Sequence, residues 1–272
     1  MTTVPNYVIR GGLEGRERLR ILSRVMEPST KALLDRLGLR DGAICADVGC
    51  GGGDVSLELA RRVAPTGQVI ACDIDQAKLD LARAEARELG IGNVEFRVVD
   101  VRQAFEIPQV DVVYARFLLT HLQEPANVLS VFRRSLRPGG VVAAEDIDFS
   151  GYFTYPESPA FKRYHELYCA TVHRRGGDPN IGPRLPALLQ QAGFDVMGVS
   201  VAQPVAMVGP AKLLNALTME NIAGAVLEDG LATADEIAEI VKALYAFAED
   251  PTTVAGTPRV VQAWGRPRPR VS

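Results

Sequence analysis

The apolar positions change their spacing along this chain, and the changes mark out elements. Over 13–39, Leu13, Leu19, Leu22, Val25 and Met26 recur near helical spacing, with Pro28 interrupting. From residue 43 short apolar runs alternate with amphipathic ones. Strands are predicted at 43–48, 68–74, 93–99, 110–115 and 141–149. Helices are predicted between them at 54–64, with Asp54 as N-cap, at 75–90, capped by Asp75 and stopped by Gly90, and at 124–140. Five strands separated mostly by helices predict an α/β fold with a parallel sheet covered on both faces.

The rhythm breaks at residue 150. Seven of the seventeen aromatics fall between 149 and 168. A helix at 183–193 and a strand at 194–208 resume the pattern. Helices follow at about 210–226 and 233–249, then a strand at 257–266. This divides the chain into an N-terminal helical cap (1–40), a ligand-binding core (41–149), an insertion (150–182) and the end of the sheet with further helices at about 209–250 (183–272). The insertion follows a strand's C-terminal end, the edge of an open α/β sheet where ligands bind.

The 272 residues suffice for a well-buried core. A net charge of -3 argues against a nucleic-acid partner, and no apolar run is long enough to span a bilayer. The cysteines, Cys45, Cys50, Cys72 and Cys169, show no metal-ligand spacing. A reduced, cytoplasmic protein without a metal site is expected.

The candidate chemistry starts at "CADVGCGGGDVSLELA", residues 45–60, with four glycines in the five positions 49–53. Glycine at that density serves close backbone approach to a ligand. The dinucleotide fingerprint needs glycine at 54, where Asp54 stands, and no Gly-Lys-Ser/Thr follows. Asp47 and Asp54 would repel a pyrophosphate and suit a ligand with positive charge. Asp73 ends the second strand, where a carboxylate can hold ribose hydroxyls, and Asp100 ends the third, where it can accept from an adenine amine.

The ordered set "ADVGCGGG", "VIACDID", "VEFRVVDV", "DVVYARFLLTHL" and "LRPGGVVAAED" resembles the successive motifs of class I S-adenosylmethionine-dependent methyltransferases. The branch it is most similar to is the small-molecule one of the ubiquinone/menaquinone C-methyltransferases. The resemblance is strong over 43–149 and extends more weakly through "AGFDVMGVSV" and "RVVQAWGR". It implies a Rossmann-like, mostly parallel seven-stranded sheet with helices on both faces and an antiparallel last strand, plus N-terminal helices and a helical lid. It implies S-adenosylmethionine as cofactor and S-adenosylhomocysteine as product. By motif position it implies cofactor contacts at Asp47, Gly49, Cys50, Gly51 and Gly53, at Asp73 and Ile74, at Asp100 and Val101, and at Arg116. Tyr7 and Arg20 fall in a segment similar to the one that closes over the cofactor in this branch. Gly52 stands where Thr or Ser is commoner.

For the chemistry, His121 is the candidate general base, with a packing or capping role as its structural alternative. Asp146 and Asp148 share one strand face, opposite Glu145, and are candidates for the acceptor crevice. Phe149, Tyr152, Phe153 and Tyr155 are expected to wall an apolar pocket, whereas Phe161, Tyr164 and Tyr168 read as a lid-helix core. The insertion's basic residues, Arg174 among them, offer an anionic handle or a solvated surface. The reading is a methyltransferase for a small, largely apolar metabolite of quinone, polyketide or terpenoid type. The methylated atom and the oligomeric state, a homodimer or higher, stay open. The alternatives are an RNA or protein methyltransferase, a non-catalytic S-adenosylmethionine-binding sensor and a nicotinamide dehydrogenase.

Overall fold

The computed structural model describes residues 16–269. Helix α1 (Arg16–Arg36) leads into alternating elements: β1 (Ile44–Val48), α2 (Asp54–Val63), β2 (Gln68–Asp73), α3 (Gln76–Glu88), β3 (Val94–Val98) and β4 (Val110–Arg116). Then come α4 (Pro125–Ser135), β5 (Leu136–Asp148), β6 (Phe153–Tyr155), α5 (Pro159–Arg174), α6 (Leu185–Gln191), β7 (Phe194–Ala202) and β8 (Val205–Ala206). The described chain ends with α7 (Leu214–Glu228), α8 (Ala234–Glu249), β9 (Val254–Gly256) and β10 (Arg259–Pro267).

Seven strands form one sheet in the order β3-β2-β1-β4-β5-β10-β7. The first five pair in parallel, and β10 lies antiparallel between β5 and β7. The strand order reverses between β1 and β4, so their C-terminal ends open a crevice at the switch point. Helices cover both faces at the centre of the sheet, while Met197, Val199 and Val201 leave one face of the edge strand β7 exposed. Leu33, Leu34, Leu59 and Val63 of α1 and α2 pack with Val112, Tyr114 and Ala143 on one side. Leu129, Phe132, Leu185 and Leu189 of α4 and α6 pack with Val113, Val142 and Ala263 on the other. Pro28 lies inside α1 without ending it.

The lid has more order than the sequence suggests. The expected strand 194–208 divides into β7 and β8, and β8 pairs with β9, which also pairs with β6. This small sheet ties the 150–182 insertion to the segment after α8. Helices α5, α7 and α8 bury Phe161, Tyr164, Leu167, Met219, Ile222, Ile240 and Leu244 together, and Met26 of α1 joins the cluster. Lys212 pins the assembly from within. Its ammonium donates to the carbonyls of Met207 (2.9 Å) and Asp250 (2.6 Å) and to Thr253 Oγ1 (2.7 Å). Among the described residues no helix is long and apolar enough to cross a membrane.

Candidate cofactor and acceptor site

The glycine loop leaves β1 at Val48 and folds back on β2. The amides of Gly49 and Cys50 both donate to the Cys72 carbonyl, at 2.7 and 2.9 Å. The Gly51 amide donates to Asp73 Oδ2 at 2.8 Å. Three loop residues take left-handed backbone, Gly49 at φ 76°, Gly51 at 54° and Gly53 at 83°, a region that L side chains avoid. Gly53 is also sterically required, since a Cβ there would stand 2.8 Å from the Ala82 Cβ of α3. At Gly51 an added Cβ would meet nothing within 4 Å, because that side faces the cavity. The sequence pattern predicts Asp54 as the N-cap of α2. The N-cap is Gly53, and Asp54 is the first helical residue. The left-handed turn at 53 brings the chain into the helix one position further on, and Asp54 supplies negative charge at the helix's positive end.

One cavity occupies the switch point, and its lining falls into two chemically distinct halves. The first half is acidic. Asp47, Asp54 and Asp73 line it, with Gly49, Cys50 and Gly51. Asp47 is only 2 % exposed and accepts from Ser56 Oγ at 2.6 Å. Burial pushes its pKa up to about 6, against the pull of the Ser56 bond and of the Arg116 guanidinium. Asp73 uses Oδ1 for the Asp75 amide at 2.9 Å and Oδ2 for Gly51, so the carboxylate is held rigid at the rim.

Arg116 also lines this half, and it donates to Thr30 Oγ1 at 3.1 Å. Burial opposes its charge, but the carboxylates of Glu145, Asp47 and Asp54 supply enough negative field to hold the guanidinium above its ordinary pKa. The Thr30 hydroxyl in turn donates to Glu145 Oε1 at 3.0 Å. Glu145 also receives Tyr114 Oη and, at 2.7 Å, Gln262 Nε2. This buried network fastens α1 to the sheet behind the acidic wall.

The other expected cofactor residues lie further out. Asp100 forms a two-pronged pair with Arg102, both contacts at 2.9 Å, which holds its carboxyl below the usual range. Val101 packs on the core beneath it, and Ile74 is half-buried. Neither these three nor Arg20 is among the cavity's walls. Arg20 is exposed and reaches Glu85 of α3 at 3.9 Å. Tyr7 lies outside the described residues.

The second half is apolar and aromatic. Leu22 and Met26 of α1, Phe117, Ile147 and Phe149 line it with Tyr164 and Tyr168 of α5. Phe149 stacks on Tyr168 with ring centroids 4.1 Å apart and planes 8° from parallel, and meets Tyr164 edge-on at 5.8 Å. Phe117 follows Arg116 with φ 55°, the one non-glycine residue in left-handed backbone among the described residues. Its amide donates to the Glu145 carbonyl at 2.9 Å, which fixes the turn and sets the ring in the cavity wall.

Several expected acceptor residues are placed elsewhere. Phe153 and Tyr155 are 43 % and 71 % exposed. They share one face of β6, and strand alternation turns that face to solvent. Tyr152 stacks behind the wall on His165 at 4.7 Å. Asp146 is buried but faces backbone. It accepts from the amides of Thr120 (3.1 Å) and Ile147 (2.9 Å), and burial raises its pKa to about 7. Asp148 is taken by Ser150 Oγ at 2.6 Å and by Arg259 at 2.8 Å. Arg174 donates to the Asp229 carbonyl on the outside of the lid. None of these lines the cavity, because buried strand-end carboxylates satisfy nearby donors first.

His121 does line it. Burial, followed by the charges of Lys78 and Arg18, pulls its pKa down to about 4. It is a neutral imidazole at neutral pH and a weak base, not one poised near 7. Sequence reasoning missed Arg18, Lys78, Phe117 and Thr218. It placed Tyr164 and Tyr168 in the lid core, though their i,i+4 spacing showed that they share a face. For Phe117 no sequence signal marks the backbone strain.

A family model described as a methyltransferase domain matches residues 39–175. The demethylmenaquinone methyltransferase of Lactococcus lactis is 31 % identical over 140 residues, 51 % of this chain and 53 % of that protein. The nocamycin O-methyltransferase of Saccharothrix syringae is 37 % identical over 114 residues, 42 % of this chain and 41 % of that protein. The chain thus spans about half the length of the curated relatives it matches. An S-adenosylmethionine-dependent methyltransferase from Geobacter sulfurreducens, solved with S-adenosyl-L-homocysteine, shares the fold at a TM-score of 0.54, with 19 % identity over 92 % of this chain and 98 % of that one. The Rossmann-like sheet, the order of its strands and the matched segment agree, and the chain belongs to the methyltransferase-domain family.

Proposed function

We propose that this protein transfers a methyl group from S-adenosylmethionine to a small, largely apolar acceptor. The observation that carries the reading is the division of one cavity into an acidic half around a glycine loop and an aromatic half under a lid. The acidic half fits the cofactor by charge. Asp47, Asp54 and Asp73 would attract an ammonium and a sulfonium and would repel a pyrophosphate. Asp73, at the rim, retains lone pairs for ribose hydroxyls beyond the two amides it accepts. Arg116 would balance the methionine carboxylate. Asp100 and Val101 would serve the adenine from the outer rim.

When bound, the cofactor supplies an electrophilic methyl group, so positioning accounts for much of the rate. The protein's own part is to orient the acceptor and exclude water. Phe117, Phe149, Tyr164 and Tyr168 provide flat apolar surface for that. A neutral His121 would orient the acceptor as a hydrogen-bond partner. Relatives named as demethylmenaquinone and nocamycin methyltransferases support a quinone or polyketide-like acceptor. The four cysteines are free thiols, which suits a reducing, cytoplasmic setting.

The test is incubation with methyl-labelled cofactor and fractionated small-molecule extract. Label is expected in an apolar, low-mass fraction. Label only in RNA or protein would contradict the acceptor class, and no transfer to any fraction would leave a cofactor sensor in place of an enzyme.

A further inference from the structure

The cations lining the cavity are unevenly paired: Lys78 lies 3.9 Å from Asp75, whereas Arg18 has no such carboxylate among the described residues. The cavity's three carboxylates, Asp47, Asp54 and Asp73, belong to the glycine-loop half, where Arg116 faces them. Arg18 stands instead among acceptor-wall residues. Its Nε donates to Thr218 Oγ1 of α7 at 2.8 Å, and its charge acts on Tyr164 and His121. Thr218 in turn donates back to the Leu214 carbonyl of its own helix. The partner that holds Arg18 is therefore a neutral hydroxyl, and no carboxylate among the described residues pairs with it. With Nε occupied, the two Nη groups keep four N–H donors. The guanidinium is half-buried, lines the cavity and lies on the same side as Phe149 and Tyr168.

We propose that Arg18 is an anion anchor for the acceptor, and that the acceptor is a flat aromatic molecule carrying a carboxylate or a comparably acidic ring oxygen. A planar fork matches two oxygens of such a group, and partial desolvation strengthens the pairing. The aromatic wall takes the ring. His121, kept uncharged, adds no competing cation and can donate or accept at the ring's edge. Thr218 orients the fork, so the lid helix α7 and the N-terminal helix α1 meet on the acceptor. This assignment rests on the reading of the other half as the cofactor site.

The test is calorimetry on the full chain saturated with S-adenosylhomocysteine. The probes are 1-hydroxy-2-naphthoate and 1-naphthol, similar rings with and without the carboxylate. The wild type is expected to bind the naphthoate about tenfold or more tightly than the naphthol. Arg18→Gln is expected to remove that preference and leave S-adenosylhomocysteine affinity within about twofold, whereas Arg18→Lys retains part of the preference. Equal binding of the two rings by the wild type, or binding of neither, would overturn the proposal. So would an Arg18→Gln variant that loses S-adenosylhomocysteine affinity but keeps the naphthoate preference. Failure of the wild type to bind S-adenosylhomocysteine would overturn the cofactor reading itself, and is seen before either ring is added.

Discussion

Asp73 Oδ2 accepts the Gly51 amide at 2.8 Å, so the end of β2 holds the centre of the glycine loop. One carboxylate both shapes the loop and faces the ligand space. Asp73→Ala removes that bond and the one from the Asp75 amide. Charge-assisted bonds of this kind are worth about 1.5–3 kcal/mol. S-adenosylhomocysteine affinity is expected to fall by about 10- to 100-fold in calorimetry. Asp73→Asn keeps one acceptor oxygen and is expected to lose less.

Gly51 and Gly53 separate ligand space from packing. Both have positive φ, but only at Gly53 does an added Cβ collide, 2.8 Å from Ala82. Gly53→Ala is expected to cost about 2–4 kcal/mol of stability, through backbone strain and overpacking. Gly51→Ala is expected to cost about 1 kcal/mol, yet to weaken cofactor binding more than it lowers Tm, because its methyl enters the cavity. Thermal melts with and without S-adenosylhomocysteine compare the two.

These contrasts also show why one half of the site was legible in the sequence and the other was not. The acidic half is local: Asp47, the loop and Ser56 lie within ten residues, and Asp73 ends the next strand. Spacing alone brings such residues together once the strands are recognised. The aromatic half is assembled from α1, α5, α7 and the turn after β4. Its composition was visible in the sequence, but its direction was not. Pairing with β9 sets which face of β6 looks outward, and that decides against Phe153 and Tyr155. Tyr164 and Tyr168 line the cavity as well as belonging to the lid core. Arg18 stood in plain view as one of many arginines, and only its position opposite Thr218 distinguishes it.

Asp47 predicts a pH dependence. Burial raises its pKa from 3.8 to about 6. A carboxyl raised on folding contributes stability that is present below about 3.8 and lost as pH rises through about 6, on the order of 3 kcal/mol. A cationic ligand favours the ionised form. Affinity for S-adenosylmethionine is therefore expected to rise between pH 5 and about pH 7 and then level off. Asp47→Asn is expected to bind more weakly with a flatter profile. Calorimetry across that range checks both.

Lys212 predicts a stability effect away from the cavity. Its buried ammonium satisfies two carbonyls and the Thr253 hydroxyl, joining the start of α7 to the segment before β9. Lys212→Met keeps the stem and removes the donor to the Met207 and Asp250 carbonyls, of which Asp250 keeps its bonds from Thr253. A loss of about 2–4 kcal/mol is expected in denaturant unfolding, with little change in S-adenosylhomocysteine affinity.

The acidic glycine loop is expected to select a cation-bearing nucleoside over a pyrophosphate. Calorimetry of the wild-type chain with S-adenosylmethionine, S-adenosylhomocysteine and NAD tests it most directly. Micromolar or tighter binding of the first two, with NAD at least about 100-fold weaker, is the expected result. NAD binding as tightly as S-adenosylhomocysteine would contradict it.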